Sequence, residues 1–290
     1  MDVETPIPKE NEILLKVRAA SVNPLDWRLK RRRPGVDVAG EVAAVGKRVT
    51  QFRTGDTVFG ICKGAFAEYA CTSEAALVSK PENLTFEQAA GVPIVGLTAL
   101  QGLRDKGRLQ PGQAVLINGA SGGVGTFAVQ IAKSLGAEVT GVCSTRNVEM
   151  VRSLGADLVV DYTQEDFTHR GPHYDLLLDN VGNRTPSALR RVLAPRGRCV
   201  MVGAPKELAA VISGAFKALA WIAWSPFMRQ KFVFFIARLK KEDLATLCAL
   251  MKTGKVTPVI DKRYQLNGAA DAIAYVEQGH ARAKVVVSFE

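Results

Sequence analysis

The feature that most constrains this chain is the run Val115-Leu-Ile-Asn-Gly-Ala-Ser-Gly-Gly-Val-Gly-Thr126. A continuous apolar strand ends in a glycine-rich turn, Ala120-Ser121-Gly122-Gly123-Val124-Gly125, which opens directly into a helix. Over Ala120, Gly122 and Gly125 the turn reads A-x-G-x-x-G. Glycine at 122 lets the backbone approach a pyrophosphate, and glycine at 125 lets helix and strand pack tightly. The free N–H groups and positive dipole of the helix start then hold the phosphates. No Walker lysine follows the turn, which excludes a P-loop nucleotidase.

The end of the next strand distinguishes one dinucleotide from another. A site selective for NAD places Asp or Glu there, about 20 residues beyond the glycines, to accept from the ribose 2′-hydroxyl. This chain reads Val142-Cys-Ser-Thr-Arg-Asn147, with no carboxylate at the strand end. Ser144, Thr145 and Arg146 offer hydroxyls and a guanidinium, which suit a 2′-phosphate. The expected cofactor is NADPH; the alternative is a polar strand end with an exposed arginine.

The rest of the chain frames that motif. Glu12–Ala20 alternates apolar and polar residues and predicts a half-buried strand. Stretches 36–45, 57–60 and 65–70 are further short strands, punctuated by Gly35, Gly40, Gly46, Gly55 and Gly64, as in a small barrel or sandwich. From about residue 85 the period changes, and 85–105 reads as two helical pieces broken near Gly91 and Pro93. Strands at 114–118, 138–143, 158–161, 174–179 and 198–202 then alternate with helices at 124–135, 148–154 and 186–193. Apolar strands between amphipathic helices predict a doubly wound parallel sheet covered on both faces. A helix at 241–253, a strand within 256–266, a helix at 269–277 and a strand at 283–289 close the chain.

Composition narrows the function classes. With 47% hydrophobic and 23% charged residues over 290 positions, the chain builds a buried core in one large domain or two. Its five cysteines are scattered singly with no CxxC, which excludes a disulfide framework and a four-cysteine zinc lobe and points to a reducing, cytoplasmic setting. Three histidines are too few for a site built on several imidazole ligands. The opening segment lacks the apolar stretch of a secretory signal, and no run approaches the roughly 18 to 20 apolar residues of a membrane span. A formal charge of +10 calls for a polyanion, whether nucleic acid, an anionic membrane surface or a phosphorylated cofactor. No stacking platform for single-stranded nucleic acid is readable. Trp221, Trp224, Phe227 and Phe232 among Lys217, Arg229 and Lys231 read either as a peripheral membrane contact or as cover for a pocket or dimer contact.

The stretches GVPIVGLTALQGL, NGASGGVGT, SLGAD, DYT and DNVG, in that order, resemble the medium-chain dehydrogenase/reductase superfamily. SVNPLDW, GVDVAGEVAAVG, GDTVFG, GAFAEYA and GHARAKVVV extend the likeness over essentially the whole chain and point to the zinc-free quinone oxidoreductase branch. The resemblance implies a Rossmann domain over 91–255, inserted in a GroES-like, β-rich catalytic domain made from 1–90 and 256–290. It also implies a homodimer and a quinone or α,β-unsaturated carbonyl as hydride acceptor. Zinc-dependent members place cysteine where this chain has Asn23 and a His-Glu pair at Val36-Asp37. Neither Asn23 nor Val36 is a normal zinc ligand, so no metal is expected.

By carry-over, Thr98 would contact the nicotinamide end and Tyr162 would lie by the adenosine phosphate. Asn180 and Gly203 would line the cofactor trough. Asn23 would donate a hydrogen bond to the acceptor oxygen, with Asp26 orienting it or a proton-delivering water; the alternative for both is a capped turn. Other readings of the chain are an alcohol dehydrogenase, or an NADPH sensor, nucleic-acid or membrane-surface protein on the same fold. Two departures from the family stand out. The resemblance implies a further strand before the segment at Pro6–Glu10 and a longer loop, helping to wall the substrate pocket, where the cationic run 28–34 passes at once into Gly35; the chain reads either as a shortened variant or as a sequence from which residues of the molecule are missing.

Overall fold

The computed structural model describes residues 4–28, 34–169, 173–202, 229–279 and 281–289. The chain divides into two compact units, Met1–Leu97 with Arg238–Glu290, and Thr98–Ala237.

The first unit starts with β1 (Glu12–Ser21), whose alternation buries Ile13, Leu15 and Val17 on one face. A helical turn, α1 (Leu25–Arg28), precedes β2 (Asp37–Val45), β3 (Thr57–Ile61), β4 (Tyr69–Ser73) and β5 (Leu77–Ser79). The fourth strand lies later than the expected 65–70. The stretch before it is held as a turn, with Gly64 and Ala65 N–H both donating to Gly35 O. Helix α2 (Phe86–Ala90) opens on a capping box in which the Thr85 hydroxyl accepts from Gln88 N and the Gln88 side chain accepts from Thr85 N. Pro93 starts α3 (Pro93–Leu100).

In the second unit α3 runs on into a π-helical stretch, Gln101–Gly107, ended by Arg108 at φ 55°. Then follow β6 (Ala114–Asn118), α4 (Gly123–Ser134), β7 (Glu138–Cys143), α5 (Val148–Ser153), β8 (Leu158–Asp161), β9 (Tyr174–Asp179), α6 (Pro186–Val192), β10 (Leu193–Met201) and β11 (Lys231–Phe234). All pairings are parallel, in the order β11-β10-β9-β6-β7-β8. The order reverses between β6 and β9, and the carboxyl ends of those two strands border the crevice where a doubly wound sheet takes its ligand. Leu116, Val142, Val160, Leu177 and Cys199 join Phe167, Tyr174 and Phe232 in one core beside the sheet.

The chain then returns to the first unit with α7 (Lys241–Lys252), β12 (Ile260–Gln265), α8 (Ala269–Glu277) and β13 (Lys284–Ser288). The seven-stranded sheet has the order β12-β13-β1-β2-β3-β5, with β4 also on β1. β13 pairs antiparallel with β1, Ala20 opposite Val287, so residues from both ends of the sequence share one sheet. Helix α7 belongs here and not to the dinucleotide-binding unit, contrary to the boundary expected after residue 255. Its buried face carries Leu244, Leu247, Cys248 and Met251; the Cys248 thiol donates to Ser79 O, and Asn83 Nδ2 donates to Met251 O at 3.0 Å. No helix among the described residues is long and apolar enough to cross a membrane. The cationic run 29–33, the aromatic stretch 216–227, Gly203 and His280 lie outside the described residues.

One ion pair ties the second unit's layers together. The Asp157 carboxylate accepts from Lys133 Nζ at 2.7 Å and from Val139 N at 2.7 Å, linking α4, β7 and the loop before β8. Burial pushes its carboxyl up, but the Lys133 and Val139 hydrogen bonds outweigh this and hold it below the ordinary value. A depressed carboxylate stabilises fully above its unfolded pKa, near 4, and loses that contribution as pH falls through the folded value. Asp157→Asn is therefore expected to cost about 1 kcal/mol at neutral pH. In denaturant titrations the difference from wild type should shrink as the pH is taken below about 4.

Candidate active site

At the end of β6, Gly119 takes φ 77° and turns the chain toward α4. Ala120 N donates to Val142 O at 2.9 Å, which fixes the turn to β7. Two glycines in the turn are bare for different reasons. A Cβ on Gly125 would stand 2.1 Å from Gly119 O and 2.7 Å from Ala120 Cα, so the protein's own packing forbids a side chain. A Cβ on Gly122 would meet only Gly119 O, at 3.5 Å. Its bareness serves nothing in the protein and fits the close approach of a ligand. Gly122 also caps α4 without any side-chain bond, leaving the N–H groups of the first turn, Gly123 and Val124 included, for an anion. The turn therefore fits a dinucleotide pyrophosphate.

Beside it, the carboxyl ends of four strands carry polar side chains. Asn118 Nδ2 donates to Asp179 Oδ1 at 2.9 Å, and the same oxygen accepts from Val181 N and Gly182 N. Asn180 Nδ2 donates to Asn118 O at 3.1 Å, while its Oδ1 is buried without a partner. At the end of β7, Asn147 Nδ2 donates to both Ser121 Oγ and Ser144 Oγ, each at 3.1 Å. Arg146 is exposed on the helical turn Thr145–Asn147. Tyr162 is exposed, with its N–H donated to Cys143 O at the edge of the same cluster. Ala120, Ser121, Gly122, Gly123, Val124, Gly125, Ser144, Arg146, Tyr162 and Asn180 thus gather at one edge of the sheet. Thr98 sits buried on α3.

Asn23 and Asp26 are engaged within the protein, contrary to the roles expected of them. Asn23 is buried, its Oδ1 accepts from Lys284 Nζ at 2.8 Å, and its Nδ2 donates to Asp37 Oδ2 at 2.9 Å and to Ser21 O at 3.3 Å. Lysine only donates and a carboxylate only accepts, so the orientation of the carboxamide is fixed and both of its amide hydrogens are engaged. It has no hydrogen left for an acceptor oxygen. Asp26 accepts from Asn23 N at 2.7 Å and Gly35 N at 2.8 Å and is the capped turn that was the alternative.

Lys284 is fully buried, and it also donates to Val22 O and stands 3.7 Å from Asp37 Oδ2. Burial pushes the Asp37 carboxyl up and the Lys284 ammonium down, each opposed by attraction to the other. Elsewhere burial pushes Cys62 up to about 12 and Cys143 and Cys248 to about 11, so none of these is a poised thiolate. Among the described residues no three His, Cys, Asp or Glu side chains converge as a metal group.

Asn118, Asp179, Asn147, Asp37 and Lys284 escaped the sequence reading. One of them left a legible signal, since Lys284 is a cation opening the otherwise apolar run Val285-Val-Val287.

A family model for the alcohol dehydrogenase GroES-like domain matches residues 9–82, and one for zinc-binding dehydrogenases matches 154–287. The chain is 35% identical, over 99% of its length and 92% of the relative, to the chloroplast envelope quinone oxidoreductase homolog of Arabidopsis thaliana. It is 32% identical, over 99% of its length and 74% of the relative, to the chloroplastic NADPH-dependent alkenal/one oxidoreductase of that plant. The solved quinone oxidoreductase of Coxiella burnetii superposes with a TM-score of 0.86 at 32% identity, covering 100% of this chain and 94% of that one. With the glycine cradle and the doubly wound sheet, these matches define an oxidoreductase of a family that works with NAD(P)H. The chain belongs to the medium-chain dehydrogenase/reductase superfamily, in its quinone-oxidoreductase-like branch.

The two bare glycines should separate on mutation. Gly125→Ala is expected to destabilise the fold by about 3 kcal/mol, because backbone must move. Gly122→Ala should leave stability within about 0.5 kcal/mol of wild type and yet weaken dinucleotide binding about tenfold or more. Urea melts and fluorescence titration with the reduced dinucleotide check the pair. Lys284→Met, which strands Asp37 in the interior, is expected to cost about 3–5 kcal/mol in the same melts.

Proposed function

We propose that this enzyme reduces quinones or α,β-unsaturated carbonyl compounds with NADPH and without a catalytic metal. One observation carries the reading. The Lys284 ammonium lies 2.8 Å from Asn23 Oδ1, at the position where zinc-dependent relatives have their cysteine. The chain supplies its own cation there, and Asn23 and the buried aliphatic Val36 supply no zinc ligands. An alcohol donor would lack the Lewis acid that activates it, whereas a conjugated carbonyl is already electrophilic. The names of the relatives, a quinone oxidoreductase homolog and an alkenal/one oxidoreductase, support the same acceptor class.

A bound reduced nicotinamide supplies the hydride. The chain's own residues bind and orient. The turn 119–125 and the first turn of α4 hold the pyrophosphate, and the Asn118–Asp179 bond keeps the ends of β6 and β9 in place beside it. The absence of a carboxylate after Cys143, with Ser144, Thr145 and Arg146 in its place, favours a 2′-phosphate over a ribose hydroxyl. In balance, the acceptor takes up one hydride and one solvent proton for each NADPH oxidised. A homodimer fits strand β11, which among the described residues pairs with β10 alone and exposes Phe234.

The test is loss of reduced-nicotinamide absorbance with 1,2-naphthoquinone or an alkenal as acceptor, run with NADPH or NADH and with or without a chelator. NADPH-selective, chelator-insensitive turnover is the expected result. Turnover abolished by the chelator and restored by zinc would overturn the metal-free reading, and preference for NADH would overturn the cofactor.

A further inference from the structure

Asn147 stands where the helical turn Thr145–Asn147 runs on into α5, with a backbone that is already right-handed helical at φ −111° and ψ −3°. Here the side chain makes no capping bond. One Nδ2 hydrogen goes to Ser121 Oγ on the phosphate turn and the other to Ser144 Oγ at the end of β7. The residue is only 4% exposed, and Oδ1 is buried with no partner. Leaving such an acceptor unmet is costly, so what holds the side chain here is its pair of bonds to the serines.

A hydroxyl that accepts a hydrogen bond keeps its own hydrogen to donate. By donating to both serines, Asn147 turns two half-buried hydroxyls into donors aimed away from itself. A phosphorylated ribose presents the complement, anionic oxygens that only accept. An unphosphorylated ribose lacks the anionic part. We infer that Asn147 is a positioning residue for 2′-phosphoribose, acting through Ser121 and Ser144 to select the phosphorylated dinucleotide. The inference rests on the NADPH reading above and names a residue that enforces it.

The experiment measures dissociation constants of NADPH, NADH, 2′,5′-ADP and 5′-AMP for the wild type, Asn147→Asp and Asn147→Ala, with thermal melts on each. An aspartate accepts from the serines, turns their hydrogens inward and sets a negative charge next to the phosphate. Asn147→Asp is expected to weaken NADPH and 2′,5′-ADP by at least about tenfold, the worth of one charge-assisted hydrogen bond, while NADH and 5′-AMP change by less than about threefold. Asn147→Ala, which removes the donor without adding charge, should shift the same ratio in the same direction by less. It serves alone if the aspartate variant does not fold. Equal weakening of phosphorylated and unphosphorylated ligands would show a merely structural residue and overturn the inference. A wild type that binds NADH as tightly as NADPH would instead remove the NADPH reading on which it rests.

Discussion

At Gly125 the first turn of α4 passes the carbonyl of Gly119 so closely that a methyl group would overlap it. That crossing sets where the helix starts, and the rest of the second unit's ligand edge depends on it. It brings the N-terminus of α4 over the end of β6 and leaves room at Gly122 on the outer side. The bond from Ala120 N to Val142 O then carries the arrangement across to β7, where Ser144 and Asn147 continue it. Close packing on one side of the turn and open space on the other follow from one backbone path.

The first unit solves a different problem. Asp37 is a carboxylate with no exposure, and such a charge survives only with a partner and hydrogen bonds. It receives bonds from Ser21 Oγ, Asn23 Nδ2 and Ile94 N, and Lys284 provides the opposite charge. A tethered ammonium differs from a metal in what it can do. Two of its hydrogens point at Val22 O and Asn23 Oδ1, and the group is buried, with no exchangeable coordination position to offer a substrate oxygen. This cation holds structure and cannot polarise a carbonyl.

Much of this was legible in the residues. The bounds of β7, β8, β9 and α8 are those the periodicity predicts, because in each the apolar pattern stops abruptly at polar or glycine residues. The strand β10 begins at Leu193 and not at Arg198, since Pro195 and Gly197 read as a turn while the neighbouring β9 in fact pairs with Leu193. The place of α7 in the first unit is not readable from the residues, because an amphipathic pattern says that a face is buried, not what covers it. The phosphate turn was readable because its chemistry is local. The Asn23–Asp37–Lys284 network was not, because its members come from distant stretches of sequence and no single stretch shows the pairing. Asn147 was hidden for a related reason, since only the structure shows which way a carboxamide faces.

The sharing of one sheet by β1 and β13 has a consequence for how the protein is made. The bond between Lys284 and Asn23 closes a loop of 261 residues. During synthesis the second unit has all its strands once β11 has left the ribosome, and it can fold while the chain is still growing. The first unit cannot. Its central strand β1 waits for β13, made long after it, and Asp37 waits for its counter-charge. Until β13 is made the nascent chain therefore carries an open sheet edge and an unneutralised acid, the form in which a chaperone would meet it.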